Sequence, residues 1–186
     1  MKNSCFIGLG SNVDPERNLE LAAKELRTLF PDIVFSAVYS SVAQYYENQP
    51  AFLNAVAKVE TEKSPEEILR DLRRIEKLLH KSPPFRFGPR TIDLDLLLYD
   101  DLILPSLKEW QGLQNEQRTT LRQGSGQAPN EKLVIPHLRV HERRFVLEPL
   151  CELLDPHAKH PVFEESWSVL LQKTLHQSCD QRRLTL

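Results

Sequence analysis

Apolar positions along the chain switch between a two-residue and a 3.6-residue period. SCFIGLGSN (residues 4–12) is a short apolar run with glycines at its end, which predicts a strand closed by a glycine-rich turn. In VDPERNLELAAKELRTLF (13–30), Leu19, Ala22, Ala23, Leu26, Leu29 and Phe30 recur at helical spacing. Asp14 fits the N-cap, Pro15 the first helical position and Glu16 the positive end of the helix dipole. IVFSAVYSS (33–41) alternates as a strand does, with Ile33, Phe35, Ala37 and Tyr39 on one face. AFLNAVAKVET (51–61) alternates again: Leu53, Ala55, Ala57 and Val59 form an apolar face expected to meet helices, with Phe52, Asn54, Val56 and Lys58 opposite. SPEEILRDLRRIEKLLH (64–80) opens with a capping box, Ser64 with Glu67, and carries an apolar stripe at Ile68, Leu72, Ile75 and Leu79. Ser82-Pro83-Pro84 stops it, and RTIDLDLLLYDD (90–101) returns to strand composition.

The order strand, helix, strand, strand, helix, strand predicts an α+β fold of ferredoxin-like βαββαβ type. Both helices are expected on one face of an antiparallel sheet, with the other face open for ligands. Beyond it the chain changes character. Residues 105–132 include QGLQNEQRTTLRQGSGQAPNEK, poor in apolar residues, which predicts a flexible surface insertion. LVIPHLRVHERRFVLEPLCELL (133–154) predicts a short strand, a basic loop and a helix, and FEESWSVLLQKTLHQSC (163–179) a last amphipathic helix. Residues 1–186 then make one domain with C-terminal helices added.

Composition narrows the function classes. The net charge of −2 gives no basic excess for nucleic-acid binding. Cys5, Cys151 and Cys179 are far apart and form no CxxC pair, which argues against a disulfide framework or a zinc knuckle and for a reduced, cytoplasmic protein. No basic leader followed by a long apolar run and no membrane-spanning stretch is visible.

The chemistry concentrates in FGPRTIDLDLLLY (87–99). Asp93 and Asp95 are two apart in a strand and share a face with Thr91, while Ile92, Leu94 and Leu96 line the other; Leu97 and Tyr99 continue the aspartate face. Aspartate is a poor strand residue, and two carboxylates side by side repel each other. A hard divalent cation relieves that repulsion, and Mg²⁺ binds through one or two carboxylates plus substrate phosphates. Replacing either aspartate with alanine is therefore expected to leave thermal stability intact or raised. Lys81, Arg86 and Arg90 lie close in sequence, the mix of acids and cations that suits a metal-nucleotide. His137 and His141 are four apart, but Pro136 and the charged surroundings favour a loop, and His137 reads better as a phosphate contact than as a metal ligand. His157 and His160 read as surface residues, Trp110 as an anchor of the insertion and Trp167 as a helix-packing residue.

FGPRTIDLDLLLY resembles the signature of the 6-hydroxymethyl-7,8-dihydropterin pyrophosphokinases of folate biosynthesis. IGLGSN, FLNAV, RRIE and VIPHLRVHERRFVLEPL resemble four further segments of that family in the same order, so the resemblance spans nearly the whole chain. It implies a ferredoxin-like fold and transfer of the β,γ-diphosphate of ATP to the pterin hydroxymethyl group, with release of AMP. It implies two Mg²⁺ ions on Asp93 and Asp95, with Arg90 and Lys81 completing the catalytic group. Arg73, Glu76, Arg86, Phe87, Arg90, His137 and Arg143 would face ATP. Ser41, Asn54 and Asp93 would meet the pterin, with Phe52 and Phe145 stacked on its two sides. ATP and the reduced pterin alcohol are then the partners of a monomer, with neither nucleic acid nor membrane involved.

The chain departs from the family pattern at His80-Lys81, where glycine and arginine are usual, at Phe87 for tryptophan, at Leu138 for tyrosine and in SSVAQYYENQP (40–50), which lacks a proline-rich loop. These changes bear on rate and on the ATP side more than on reaction class. No general base stands out. Two other readings compete. D-x-D also marks metal-dependent nucleotide-sugar transferases, which are usually larger parallel α/β domains. A ferredoxin-like sheet can also bind RNA, but that needs aromatics interleaved with Lys and Arg. Cys5-Phe6-Ile7-Gly8 and Phe52-Leu53-Asn54 do not supply them.

Overall fold

The structure is a computed structural model that describes residues 2–44, 48–81, 88–123, 133–155 and 157–186. Its first half runs β1 (Asn3–Ser11), α1 (Pro15–Leu29), β2 (Val34–Phe35), β3 (Val38–Ser41), β4 (Phe52–Thr61), α2 (Pro65–Leu78) and β5 (Asp93–Tyr99). Then follow α3 (Leu107–Gln123), a 3₁₀ turn (Val140–Glu142), α4 (Arg144–Leu153), α5 (Trp167–Gln172) and β6 (Asp180–Arg182). The sheet is antiparallel, in the order β5-β1-β4-β3-β6, and β2 also pairs with β4.

One face of the sheet holds the main core. Ile7 and Leu9 of β1, Leu53, Ala55, Ala57 and Val59 of β4, and Leu94 and Leu96 of β5 pack against Leu19 and Leu26 of α1 and Ile68, Leu72 and Ile75 of α2. Each such leucine or isoleucine contributes roughly 1.5–3 kcal/mol through burial. The Ser64–Glu67 capping box starts α2 as expected. At α1, Asp14 occupies the N-cap position with φ 40° and makes no side-chain capping bond; Asn18 Nδ2 instead donates to the Val13 carbonyl at 2.5 Å.

The second face is not open. Phe6, Val56 and Leu98 pack there against Leu147 and Leu150 of α4 and Trp167 and Leu170 of α5. The ligand space is what these two helices leave uncovered.

Four local expectations change. Gly8 and Gly10 lie inside β1, not in a turn after it. The alternation of residues 33–41 breaks at Ser36, whose Oγ accepts from Val56 N at 3.0 Å in the ladder. Val38 then takes the core position, and Tyr39 turns to the other face and bonds Glu152 of α4. A register shift between Phe6 and Ile7 leaves Leu97 without a pairing partner on β1, so Leu97 and Leu98 both join the α4 side while Tyr99 joins the main core, not the aspartate face. The last predicted helix is short, and β6 follows it.

Residues 107–123, predicted as loop, form α3. The helix is anchored by Trp110, which is fully buried and donates from Nε1 to the Pro136 carbonyl at 2.6 Å. Trp110 meets His160 and Phe163 edge to face, so tertiary packing compensates for a sequence with little apolar content. Among the described residues no helix is long and apolar enough to cross a membrane.

Candidate active site

Two glycines set the floor of the site. On the central strand β1, Gly10 pairs with Asn54 of β4 on one side and Asp93 of β5 on the other; Gly8 pairs with Val56 and Asp95. Three strands thus present Asn54–Gly10–Asp93 and Val56–Gly8–Asp95 as adjacent rows. Neighbouring strands lie about 4.8 Å apart, so Asn54 and Asp93 stand roughly 10 Å from each other across a floor without side chains. A Cβ on Gly8 would come within 3.2 Å of Leu97, and one on Gly10 within 3.4 Å of Asn54 Oδ1.

Above this floor is a cavity of about 180 Å³. It gathers residues that are distant in sequence: Ser41, Phe52 and Asn54 at one end, and Arg90, Asp93, Asp95 and His137 at the other. Arg143 and Phe145 line it from the start of α4. The Arg143 guanidinium lies 5.6 Å from the Phe145 ring centroid, a cation–π contact. Asn54 is buried, and its Nδ2 donates to Ser41 Oγ at 3.0 Å. Ser41, with the Tyr39 carbonyl at 3.4 Å, fixes the Asn54 amide.

The acidic end is more structured than repulsion between two carboxylates suggests. Lys81 Nζ bonds Asp93 Oδ1 directly and Glu76 Oε1 at 2.5 Å, and Arg90 Nε lies 3.6 Å from Asp93 Oδ2. Burial alone would push the Asp93 carboxyl up, but Lys81 and then Arg90 outweigh it and hold the group below the usual carboxylate range. Burial would lower Lys81, while Asp93 and Glu76 raise it above its ordinary value. Glu76 is raised, because burial outweighs the attraction of Lys81. Glu76 itself does not line the cavity. It is buried behind β5, where its Oε1 also accepts from Leu94 N at 2.8 Å.

His137 is held below its ordinary pKa, first by burial and then by Arg143 and Arg139 acting against Asp95. Its Nδ1 accepts from Arg139 N at 3.3 Å, which leaves the proton of the neutral ring on Nε2. His137 is therefore a neutral donor at the cavity wall. His141 sits in the 3₁₀ turn and meets Gln114 of α3 at 2.9 Å, so the two histidines do not form a metal pair.

Not every expected residue reaches the cavity. Arg73 is exposed on α2 and does not line it. Arg86 and Phe87 lie outside the described residues. Conversely, Asn12 holds the site together, and the sequence signals it only by its place in IGLGSN. It is buried, receives Arg90 N at 2.7 Å and donates to Gln49 Oε1 at 3.0 Å, tying the arginine loop to the segment before β4. His160, expected at the surface, is fully buried among Trp110, Phe163 and Trp167.

Among the described residues no three His, Cys, Asp or Glu side chains are grouped to hold a metal ion alone. Asp93 and Asp95 fit an ion that takes its other ligands from phosphate and water. Lys81 already supplies positive charge to Asp93.

A family profile, 7,8-dihydro-6-hydroxymethylpterin-pyrophosphokinase (HPPK), matches residues 6–155. The chain is similar to the 2-amino-4-hydroxy-6-hydroxymethyldihydropteridine pyrophosphokinase of Aquifex aeolicus, at 34% identity over 161 residues, 86% of this chain and 85% of that one. The enzyme of the same name from Haemophilus influenzae is 35% identical over 153 residues, 81% of each chain. The mitochondrial folate synthesis bifunctional protein of Pisum sativum is 34% identical over 150 residues, 80% of this chain but 24% of its own length. Among solved structures, an HPPK-DHPS in complex with substrates superposes with a TM-score of 0.66 at 15% identity, covering 95% of this chain and 44% of that one. The Plasmodium falciparum HPPK-DHPS gives 0.64 at 16% identity, covering 95% and 45%. These structures share the fold, and this chain spans less than half of their length.

Proposed function

This chain belongs to the 7,8-dihydro-6-hydroxymethylpterin-pyrophosphokinase family, and from that membership we propose how its cavity transfers diphosphate from ATP to 6-hydroxymethyl-7,8-dihydropterin in folate biosynthesis. The sheet order β5-β1-β4-β3, with α1 and α2 on one face, supports the finer reading of a ferredoxin-like core.

The observation that carries the site reading is the row Asn54–Gly10–Asp93. It sets an amide that can pair with a heterocycle edge opposite a carboxylate that can serve a triphosphate, across a bare floor of about two strand spacings. The pterin lies on Gly8 and Gly10, with its edge toward Asn54 and Ser41 and its faces against Phe52 and Phe145. Such stacking is worth roughly 0.5–1.5 kcal/mol per pair beyond burial. The hydroxymethyl group then points toward Asp93 and Asp95.

ATP enters from the Arg90, His137 and Arg143 side, where the cavity is cationic. Arg90 and Arg143 offer fixed forks to phosphate oxygens, and neutral His137 offers its Nε2–H without adding charge. Asp93 and Asp95 would hold Mg²⁺, two ions in this reading, and the metal would supply positive charge to offset that of the triphosphate. Lys81, bonded to Asp93 and Glu76, holds the Asp93 carboxylate in place and adds positive charge beside it. The chain's own contribution is alignment and charge, the two things in-line phosphoryl transfer needs most. Burial pushes the Cys5 thiol up to about 12, so it stays protonated and serves as a packing residue.

Incubation with ATP, MgCl₂ and 6-hydroxymethyl-7,8-dihydropterin tests this directly. AMP and the pterin diphosphate should form in equal amounts. Formation of ADP, or no turnover, would refute it. The family match leaves no support for the sugar-transferase and RNA-binding readings.

A further inference from the structure

Helix α4 begins with an arginine where helices favour an acceptor. Arg143 is its N-cap residue, extended at φ −118° and ψ 111°, and makes no side-chain capping bond. A guanidinium has only donors, so it cannot satisfy the orphan N–H groups of a first turn. Ser, Thr, Asp or Asn at that position would do so. Something else must cap the helix if this position is to carry a cation.

Gln177 does. Its Oε1 accepts from Arg144 N at 3.0 Å, and its Nε2 donates to the Glu142 carbonyl at 2.8 Å. One amide thus grips the backbone on both sides of Arg143, as a neighbouring strand would. The grip is reciprocal: Arg144 Nη1 donates to the Gln177 carbonyl at 2.9 Å and Arg144 Nε bonds Glu148 at 2.8 Å. Gln177 is itself held in a turn, its N–H donating to the Thr174 carbonyl at 2.9 Å. Gln44, which lines the cavity beyond β3, reaches the same Gln177 Oε1 at the 3.5 Å limit.

We propose that Gln177 is a positioning residue for the diphosphate transfer: it caps α4 from outside, so that the cap position is free to hold Arg143 over Phe145 and against the nucleotide phosphates. The inference rests on the reading of Arg143 as an ATP contact. Gln177 lies outside the residues that the family profile matches, which end at 155.

The test compares KM for ATP and for the pterin alcohol in Gln177→Leu, Arg143→Ala and the double variant, with thermal midpoints and hydrogen exchange at Arg144 N–H measured alongside. Gln177→Leu should raise KM for ATP about tenfold, since displacements near 1 Å can cost up to a hundredfold. KM for the pterin should change less than about twofold, in keeping with the local effect. In the Arg143→Ala background Gln177→Leu should add nothing to KM for ATP. Gln177→Glu keeps the acceptor for Arg144 N and loses the donor to Glu142, so it should fall between wild type and Gln177→Leu, and it stands in if the leucine variant does not fold. The proposal is overturned if KM for ATP stays at the wild-type value, if both KM values rise together, or if the two substitutions multiply. If Arg143→Ala alone leaves KM for ATP unchanged, the ATP-contact reading fails and the positioning proposal falls with it. Faster exchange at Arg144 in Gln177→Leu would then show that the cap itself is real, and unchanged exchange would show that the cap failed as well.

Discussion

The backbone N–H of Leu94, the residue between the two aspartates, donates to the buried carboxylate of Glu76 at 2.8 Å. The same oxygen receives Lys81 Nζ at 2.5 Å, and Lys81 continues to Asp93. A helix residue that never meets the cavity therefore fixes the strand that forms the cavity's acidic wall. It also balances the cation that serves it.

Glu76 is consequently expected to matter for both stability and rate. Glu76→Ala leaves Leu94 N–H and one side of Lys81 without an acceptor in a buried place, at a cost of roughly 2–4 kcal/mol. Glu76→Gln keeps an acceptor for Leu94 and should cost about half as much. Urea denaturation of the two variants separates them. Equal midpoints for Glu76→Ala and the wild type would show that the buried contact contributes nothing.

Asp93 and Asp95 should respond differently to removal. Relief of like-charge repulsion predicts unchanged or higher stability for both, but the structure pairs Asp93 with Lys81 and Arg90. Asp93→Ala should therefore lose roughly 1–3 kcal/mol, as when one partner of a partly buried pair is deleted. Asp95→Ala should hold its midpoint or gain slightly. Both should lower AMP formation by about three orders of magnitude, since each removes a carboxylate that the reaction path needs. Calorimetry beside an AMP assay reads both effects. A stabilised Asp93→Ala would contradict the pairing.

The glycine floor gives a prediction on binding alone. Gly8→Val and Gly10→Val fill the space between Asn54 or Val56 and the two aspartates, and at Gly8 the first added carbon already presses on Leu97 at 3.2 Å. Pterin affinity should drop by at least about a hundredfold, the scale on which overpacking a tight site acts. Titration calorimetry with the pterin alcohol and magnesium present measures it. Undiminished affinity in a folded Gly8→Val protein would place the ligand elsewhere.

What was legible in the sequence followed from periodicity and from local chemistry. The Leu53–Val59 face, the Ile68–Ile75 stripe and the Ser64–Glu67 box act within one element, so they were readable and are found in place. Trp110 and Trp167 are buried packing residues, as their type suggested. The misses are events between elements. A register slip beside Leu97 and a side chain in the ladder at Ser36 each reverse which face later residues occupy, and no spacing announces them. α3 escapes a linear reading because its stability comes from Trp110 lodged among residues 26 to 53 positions away. Arg90, Asp93 and Asp95, close together in one motif, also lie together at the cavity. Asn12 and Gln177 act through backbone groups of distant segments, which a linear reading does not pair.

Burial of His160 ties stability to pH. The ring is fully buried, its Nδ1 accepts from Val162 N at 3.1 Å, and its neighbours are Trp110, Phe163, Trp167 and His141. Burial first, and then His141, lower its pKa to about 3. The unfolded chain has the ordinary value near 6.5. Between those two values the unfolded state takes up a proton that the folded state refuses, so stability is lost as pH falls below about 6.5 and the loss grows until the folded ring titrates. His137, also lowered by burial, acts in the same direction. Glu76, raised by burial, acts oppositely above its ordinary value of 4.5. His160→Phe keeps an aromatic in the cluster and removes one of these protons. Wild type should lose on the order of 1–2 kcal/mol more than His160→Phe between pH 7 and pH 5, from a slope of about 1.4 kcal/mol per pH unit per histidine below its unfolded pKa. Guanidinium denaturation of both proteins at the two pH values reads the difference. Parallel losses in the two proteins would mean that His160 takes up its proton in the folded state and that the cluster around Trp110 is open to water.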